Sequence, residues 1–361
     1  MITLIDKDYP GYNLLDPQQP VFAVASTIIS QDEAQVLLND AFPNYRGAEY
    51  KFSNIIGTRN ESGLRLLGDS LTSTPNRTFT YVMDKKFAAF TKMVDFLIEP
   101  LITDAGYNFY AAGFCKKYTN YIYVGVRHVN PVNLYDELVS AYMTFCRLPS
   151  AQSLDTFGRR LVELEEQCSD EVWIFLDQMI TGAALLTEYE EIDWFRETNE
   201  VQFTTMLASI GRWRQIYNED FSVYHDNASN FLRRADLWEA VTNPDITEQL
   251  HPLGDGTNVQ FPLRVVETHG VDSRTDYSIQ LCDLLAGVAT RYFKLKWAGE
   301  TEHPFIKLVE ESGLGQLDFS GLMFEPNFPD GDPQPLNGQD VIDQFVQIAR
   351  EGRTRRSTGA E

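Results

Sequence analysis

Four acids of this 361-residue chain stand where a carboxylate is costly or conspicuous. Asp283 lies in SIQLCDLLAGVATRYF, where Ile279, Leu281, Cys282, Leu284, Leu285, Val288 and Ala289 put apolar side chains on every side of a helix expected over 278–297. A charge desolvated in such a helix must find a partner, take up a proton or bind a metal ion. Ala286 and Gly287, three and four residues further on, line its face with small side chains and leave room for a backbone or an ion to approach. Asp226 follows the apolar run FSVYH, at the kind of strand end where α/β folds present site residues. Its plain structural reading is a cap for a helix beginning near Ala228. Asp6 closes the first apolar strand in ITLIDKDYPG, with Asp8 two residues on and on the same strand face. Glu49 heads EYKFSNII, with Lys51 two residues later; an exposed Glu–Lys pair on a strand contributes little to stability.

Taken singly, each acid has an ordinary explanation, and for Asp283 that is a buried Arg partner or backbone N–H donors. Together, Asp6, Asp226 and Asp283 each sit at the end of, or inside, an apolar element. If those elements converge, the three carboxylates form a site for Mg²⁺ or Mn²⁺, and two such ions about 3.5–4 Å apart support in-line phosphodiester hydrolysis. The five histidines show no HxxxH or HxxE spacing, which argues against a zinc enzyme, although His225 beside Asp226 could touch a substrate. No GxxxxGK[ST] or strand-linked GxGxxG loop is present, and GDG at 254–256 reads as a turn.

The elements that must position these acids are of mixed type. Strands are expected over 2–5, 21–29, 49–56 and 79–83, with a polar stretch over 58–77 between the last two. Asp84 caps a helix over 86–97, whose Phe87, Phe90, Met93, Val94 and Leu97 recur at helical spacing. A Tyr-rich segment leads to a strand at 121–126. Helices follow at 134–147, 154–167, 172–186 and 203–217, then strands at 221–225 and 263–268, the long helix at 278–297, a Pro/Gly/Asp loop over 324–338 and a short helix over 340–350. The expected fold class is α/β, with a core from 1–130 and 200–300, a helical insertion or cap over 131–199, and a C-terminal extension over 301–361 ending in a mobile tail.

The chain has 30 Lys and Arg against 52 Asp and Glu, a net charge of −22. That excludes passive nucleic-acid binding by the whole surface, since phosphate recognition needs Lys and Arg to displace counterions. A local basic groove stays open, with Arg212 and Arg214, Arg233 and Arg234, and Arg291 to Lys296 as its candidates. No apolar run is long enough for a membrane span, the N-terminus has no basic leader, and the four cysteines are scattered, so a cytoplasmic protein is expected.

Two of these segments, VYHDNASNFLRR and SIQLCDLLAGVATRYF, taken in this order, resemble motifs of the bacterial family called domain of unknown function 3800, which is ribonuclease-H-like in fold. EYKFSNII is similar to its Glu-x-Lys strand and VFAVASTIIS to its second strand, so the resemblance covers roughly 1–60 and 200–297. It implies a mixed five-stranded sheet flanked by helices, and an acidic metal site. Carried over, Asp6, Glu49, Asp226 and Asp283 are the catalytic candidates. Asp6, Asp226 and Asp283 would hold Mg²⁺ or Mn²⁺, and Lys51, His225 and Gln280 would contact substrate. The implied activity is that of a nuclease. Where the family has Asp-Glu-Ser-Gly after its first strand, this chain has Asp6-Lys7-Asp8-Tyr9-Pro10-Gly11. That departure keeps a second expectation open: an inactive protein-interaction module, associated at the level of the family with phage defence or mobile elements.

Overall fold

The computed structural model describes residues 14–57, 60–129, 133–186, 201–227, 235–252, 258–325, 331–345, 347, 348 and 351, and residues 2–7 and 202 as backbone only. The apolar runs build its main sheet. β1 (Ile2–Lys7) pairs antiparallel with β2 (Val21–Thr27). Helices α1 (Gln31–Ala41), α2 (Phe52–Ile55) and α3 (Glu61–Thr72) precede β3 (Thr78–Asp84), which is antiparallel to β2. Next come α4 (Lys85–Leu97), α5 (Glu99–Asp104), the short β4 (Tyr107–Asn108), α6 (Phe114–Val124), α7 (Leu134–Arg147), α8 (Ala151–Glu165), α9 (Trp173–Leu185) and α10 (Val201–Ile216). β5 (Phe221–Asp226) returns parallel to β1. α11 (Ala235–Thr242) and the antiparallel pair β6 (Gln249–Pro252) and β7 (Asn258–Phe261) lead to β8 (Val265–Val271), parallel to β5. The chain closes with α12 (Tyr277–Trp297), α13 (Pro304–Glu310), β9 (Phe319–Leu322) and β10 (Gln334–Pro335), which pairs with β4.

The sheet order is β8-β5-β1-β2-β3-β9. It has six strands where five were expected, because β9, from beyond residue 300, adds to β3 in parallel. Alternation along β2 separates two cores. Phe22 and Val24 face one formed with α4, α6 to α10 and α11, whereas Val21, Ala23 and Ala25 face another formed with α1, α2, α3, α12 and α13. Helices therefore cover both sides, and the class is mixed α/β. The helical segments α7 to α9 join the first core through α4: Phe90 packs on Tyr123 of α6 and Tyr135 of α7 at centroid distances of 6.0 and 5.4 Å.

Several elements match their expected positions, including α4, whose cap Asp84 accepts from Lys86 and Phe87 N–H at 2.9 and 3.0 Å. Three do not. Residues 121–126 continue α6 into a π turn instead of forming a strand, because the apolar positions Ile122, Tyr123 and Val126 are buried at helical spacing while Tyr121 points to solvent. The polar stretch 58–77 contains α3, held by Leu64, Leu67 and Leu71 on one face. Residues 49–56 are a loop and the single turn α2, since their backbone bonds to side chains of α12 and not to another strand. The short helix expected over 340–350 is seen as helical residues 341–345, while the turn at 254–256 and the helix start near Ala228 lie outside the described residues.

Asp340 caps that C-terminal helical segment, accepting from Ile342 and Asp343 N–H at 2.8 and 2.9 Å. Its carboxyl, almost wholly buried, faces that of Glu99 on α5, which also accepts from Thr103 Oγ1 at 2.5 Å. Burial first, and then the hydrogen bond to Asp340 and its charge, push the Glu99 carboxyl up to about 9. Glu99 therefore keeps its proton at neutral pH. A carboxyl whose folded value lies above its unfolded 4.5 stabilises fully below that value and loses its contribution as pH rises to about 9. Glu99→Gln can donate to Asp340 with no proton to lose. Thermal unfolding followed between pH 4.5 and about 9 should therefore show a flatter decline of Tm in the variant than in the wild type. Identical slopes would remove Glu99 as the source.

Candidate functional site

α12 begins at Asp276, whose Oδ1 accepts from Ser278 and Ile279 N–H at 2.9 and 3.0 Å, and it is buried at every residue from Ser278 to Thr290. It lies across β1 and β2, with α1, α2 and α13 packed outside it. A polar group on such a helix must be matched from within. Asp283 is 9% exposed, and its Oδ2 accepts the Phe52 N–H at 2.7 Å. That donor is one of those left unpaired by the first turn of α2. One turn earlier, Gln280 Oε1 accepts the Tyr50 N–H at 2.9 Å, and its Nε2 donates to the Ser273 carbonyl at 2.8 Å. The small face expected beside Asp283 is used for this approach: a Cβ on Gly287 would stand 2.2 Å from Cγ of Phe52.

With Tyr50 and Phe52 tied to α12, Lys51 between them faces outward, its side chain 48% exposed and its Nζ 3.1 Å from Glu49 Oε2. The hydrogen bond to Glu49 is the largest influence holding the Lys51 ammonium above its ordinary range. Burial opposes it, and the charges of Glu49, Asp283 and Asp226 add to it. Three of the four candidate acids therefore act on one ammonium. They reach it from a loop, a helix and a strand end.

Asp226 ends β5 between β1 and β8, in alternation with half-buried Ser222 and Tyr224, on the side away from the first core that Phe221 and Val223 enter. His225 follows the other alternation and is 2% exposed, with Nδ1 3.0 Å from the Asp226 carbonyl. Burial pushes its pKa down, which keeps the ring neutral. It is a core residue, so the expected contact with substrate is corrected. Gln280 is corrected likewise: both ends of its amide hold backbone, and it positions the Lys51 loop. Asp6 is described as backbone. Its Cα partner on β2 is Val24, and Leu4 pairs with His225 across the parallel ladder, so Asp6 falls in the alternation that faces the first core, whereas Asp226 falls on the α12 side, and the expected convergence of Asp6 with Asp226 and Asp283 is corrected.

Arg274 was not singled out by motif. It lies in the turn between β8 and α12, mostly exposed, with Nη2 2.6 Å from Asp272 Oδ2. The hydrogen bond from Arg274 is the main reason that Asp272 is held down to about 2, and the charge of Glu49 also acts on Arg274. The Asp-Ser-Arg-Thr-Asp spacing of that turn, which ends on the cap of α12, was the available signal. The expected basic groove is dispersed. Arg212 pairs with Asp318 at 3.0 Å, Arg214 bonds to the Glu219 carbonyl at 2.9 Å, and Arg291 lies 5.1 Å over the ring of Phe305. Lys294 bonds to the Gln18 carbonyl at 2.6 Å and Lys296 to Tyr292 Oη at 2.8 Å, while Arg233 and Arg234 lie outside the described residues.

Among the described residues no group of three His, Cys, Asp or Glu side chains could hold a metal ion, and no helix is long and apolar enough to cross a membrane. No protein-family model, curated protein or solved structure matches this chain.

The Asp283–Phe52 bond separates charge from acceptor capacity. Asp283→Ala strands a buried N–H and should cost about 1–3 kcal/mol, whereas Asp283→Asn keeps an acceptor and should cost less than about 1 kcal/mol. Urea unfolding of both variants checks this, and an equal loss in the two would show that the hydrogen bond is not what matters there.

Proposed function

We propose that the face of the sheet covered by α12 carries a metal-dependent nuclease site on a ribonuclease-H-like core, similar to that of the domain-of-unknown-function-3800 family. The observation that carries this reading is that the half-exposed Lys51 is paired with Glu49 and also feels the charges of Asp226 and Asp283. The sheet supports it, being mixed, flanked by helices on both faces and centred on β1, with an antiparallel neighbour on one side and a parallel one on the other. The two segments that carry the resemblance supply the end of β5 and the buried helix α12.

Carboxylate oxygens suit Mg²⁺ or Mn²⁺. The described side chains do not make a complete set, and the register of β1 places Asp6 on the other face of the sheet, so an ion here would take Asp226 and Asp283 with water or phosphate oxygens in its remaining positions. A bound ion there would polarise a phosphate oxygen and lower the pKa of water. The chain's own contributions are separate. Phe52 N–H fixes the Asp283 carboxylate, Lys51 offers a mobile point charge for a phosphate oxygen, and Glu49 holds Lys51 until phosphate arrives and orients a water once it is released.

A second reading has one observation in its favour. Lys51 is already paired with Glu49, and Asp283 already serves the backbone of α2, so the acids have structural roles that an inactive protein-binding module would also keep.

Cleavage of single- and double-stranded DNA and RNA with Mg²⁺ or Mn²⁺ separates the two. Asp226→Asn and Asp283→Asn should each lower the rate at least about 100-fold, since even the outer partners of metal ligands cost about 10–100-fold. The same proteins should lose Mn²⁺ binding in titration. Equal activity in wild type and Asp226→Asn, or no metal binding by the wild type, leaves the interaction module as the better account.

A further inference from the structure

The other face of the sheet holds a cavity of about 200 Å³ between α4, α6, α10 and the C-terminal helical segment. Most of its wall is apolar, formed by residues such as Phe87, Phe203, Leu207, Phe261, Leu322 and Phe345. It becomes polar on the side of α4, where Lys92, Asp95 and Tyr110 reach it. An engineered cavity of about 150 Å³ takes benzene, so the space here suits one ring with a short polar arm.

The charges at the polar end decide what that arm should be. Asp95, its side chain 22% exposed, accepts the Tyr110 O–H at 3.2 Å. The Lys92 ammonium, on a side chain 12% exposed, stands 4.0 Å from Asp95 Oδ2, beyond hydrogen-bond distance. The charge of Asp340 acts on Asp95, as it does on Glu99 and Asp343. The second lysine of the wall, Lys116, is paired with Glu325 at 2.6 Å. Asp95, the acid that lines the cavity, thus has the ammonium of Lys92 near it and the charge of Asp340 acting on it as well. Burial is the main reason that Asp95 is pushed up, with the charge of Asp340 adding to it while Lys92 and Tyr110 oppose it. A carboxylate ligand would meet the carboxyl of Asp95 and the charge of Asp340 that acts on it. An ammonium would be favoured by both, and the surrounding aromatic faces also attract cations.

We propose that this cavity binds a small lipophilic amine, its apolar body among the phenylalanines and its ammonium on the carboxylate of Asp95. The site is independent of the metal site, since it lies on the opposite face of the sheet.

Calorimetry on the full chain at neutral pH with 2-phenylethylamine, 2-phenylethanol and phenylacetate as probes tests the proposal. The amine should bind at least about ten-fold more tightly than the alcohol, the scale of one charge-assisted hydrogen bond. Asp95→Asn should abolish that advantage and leave binding of the alcohol unchanged, and Thr204→Phe, which narrows the cavity from α10, should weaken both. Tightest binding of phenylacetate, equal binding of the three, or no binding of any probe to the wild type would each overturn the proposal. The comparison of probes on the wild type stands even if a variant fails to fold, which circular dichroism would reveal.

Discussion

α12 can be buried all round only if each polar group it carries is answered by something equally buried. Asp283 and Gln280 are answered by main-chain N–H groups of Phe52 and Tyr50, so the helix and the loop over 50–52 fix each other's position. Leaving either donor without its acceptor would cost about 1–3 kcal/mol, a large part of the stability of an ordinary domain. Gly287 makes the approach possible by leaving space for the ring of Phe52. The outward position of Lys51 and the acids around it follow from this contact. The site is thus a consequence of how a buried helix satisfies its polar groups, and what it does in chemistry is built on that arrangement.

The sequence shows α12, β5 and the pairing of roles between them, because an acid amid continuous apolar residues is anomalous whatever surrounds it. It also shows α4, since Asp84 and the spacing of Phe87, Phe90 and Met93 agree on one helix. Glu49–Lys51 is misleading as to its element. Its alternation imitates a strand, yet its backbone partners are side chains more than 200 residues away, which local pattern cannot show. α3 was hidden by composition, as Leu64, Leu67 and Leu71 lie among polar residues and lack the density that marks a buried helix. His225 draws notice by lying beside Asp226, and Gln280 only through the resemblance. Burial decides against a contact with substrate for both, and burial is a tertiary property.

The excess acid is handled in two ways on the two faces of the sheet. Beneath α12, carboxylates meet donors: Phe52 N–H on Asp283, Lys51 on Glu49, and Arg274 on Asp272 near the surface. On the opposite face, Asp95, Glu99 and Asp343 are pushed up by burial and by their proximity to Asp340, with Lys92 as the neighbouring cation. The first arrangement keeps negative charge available at a surface. The second places carboxyls inside a core, where burial raises them. A net charge of −22 therefore describes neither site, because the groups that matter differ from the solvated majority by their partners and not by their number.

The location of the first site follows from topology. β1 has an antiparallel neighbour in β2 and a parallel one in β5, so the carboxyl ends of β1, β5 and β8 all emerge at one edge of the sheet. The chain leaving β8 must cross that edge to start α12, and its turn, Asp272 to Asp276, is short. Ligands of α/β sheets bind outside carboxyl ends for the same reason, since only there do loops from several strands meet without a helix in the way. Asp226 and Arg274 reach that edge from the chain's own turns, whereas Lys51 is brought to it by the bonds of its loop to α12. A shift of that helix by one residue would rotate Asp283 by about 100°, away from Phe52, and would release Lys51 from the edge, so the register of α12 on β1 and β2 is what holds Lys51 where the charges of three acids act on it.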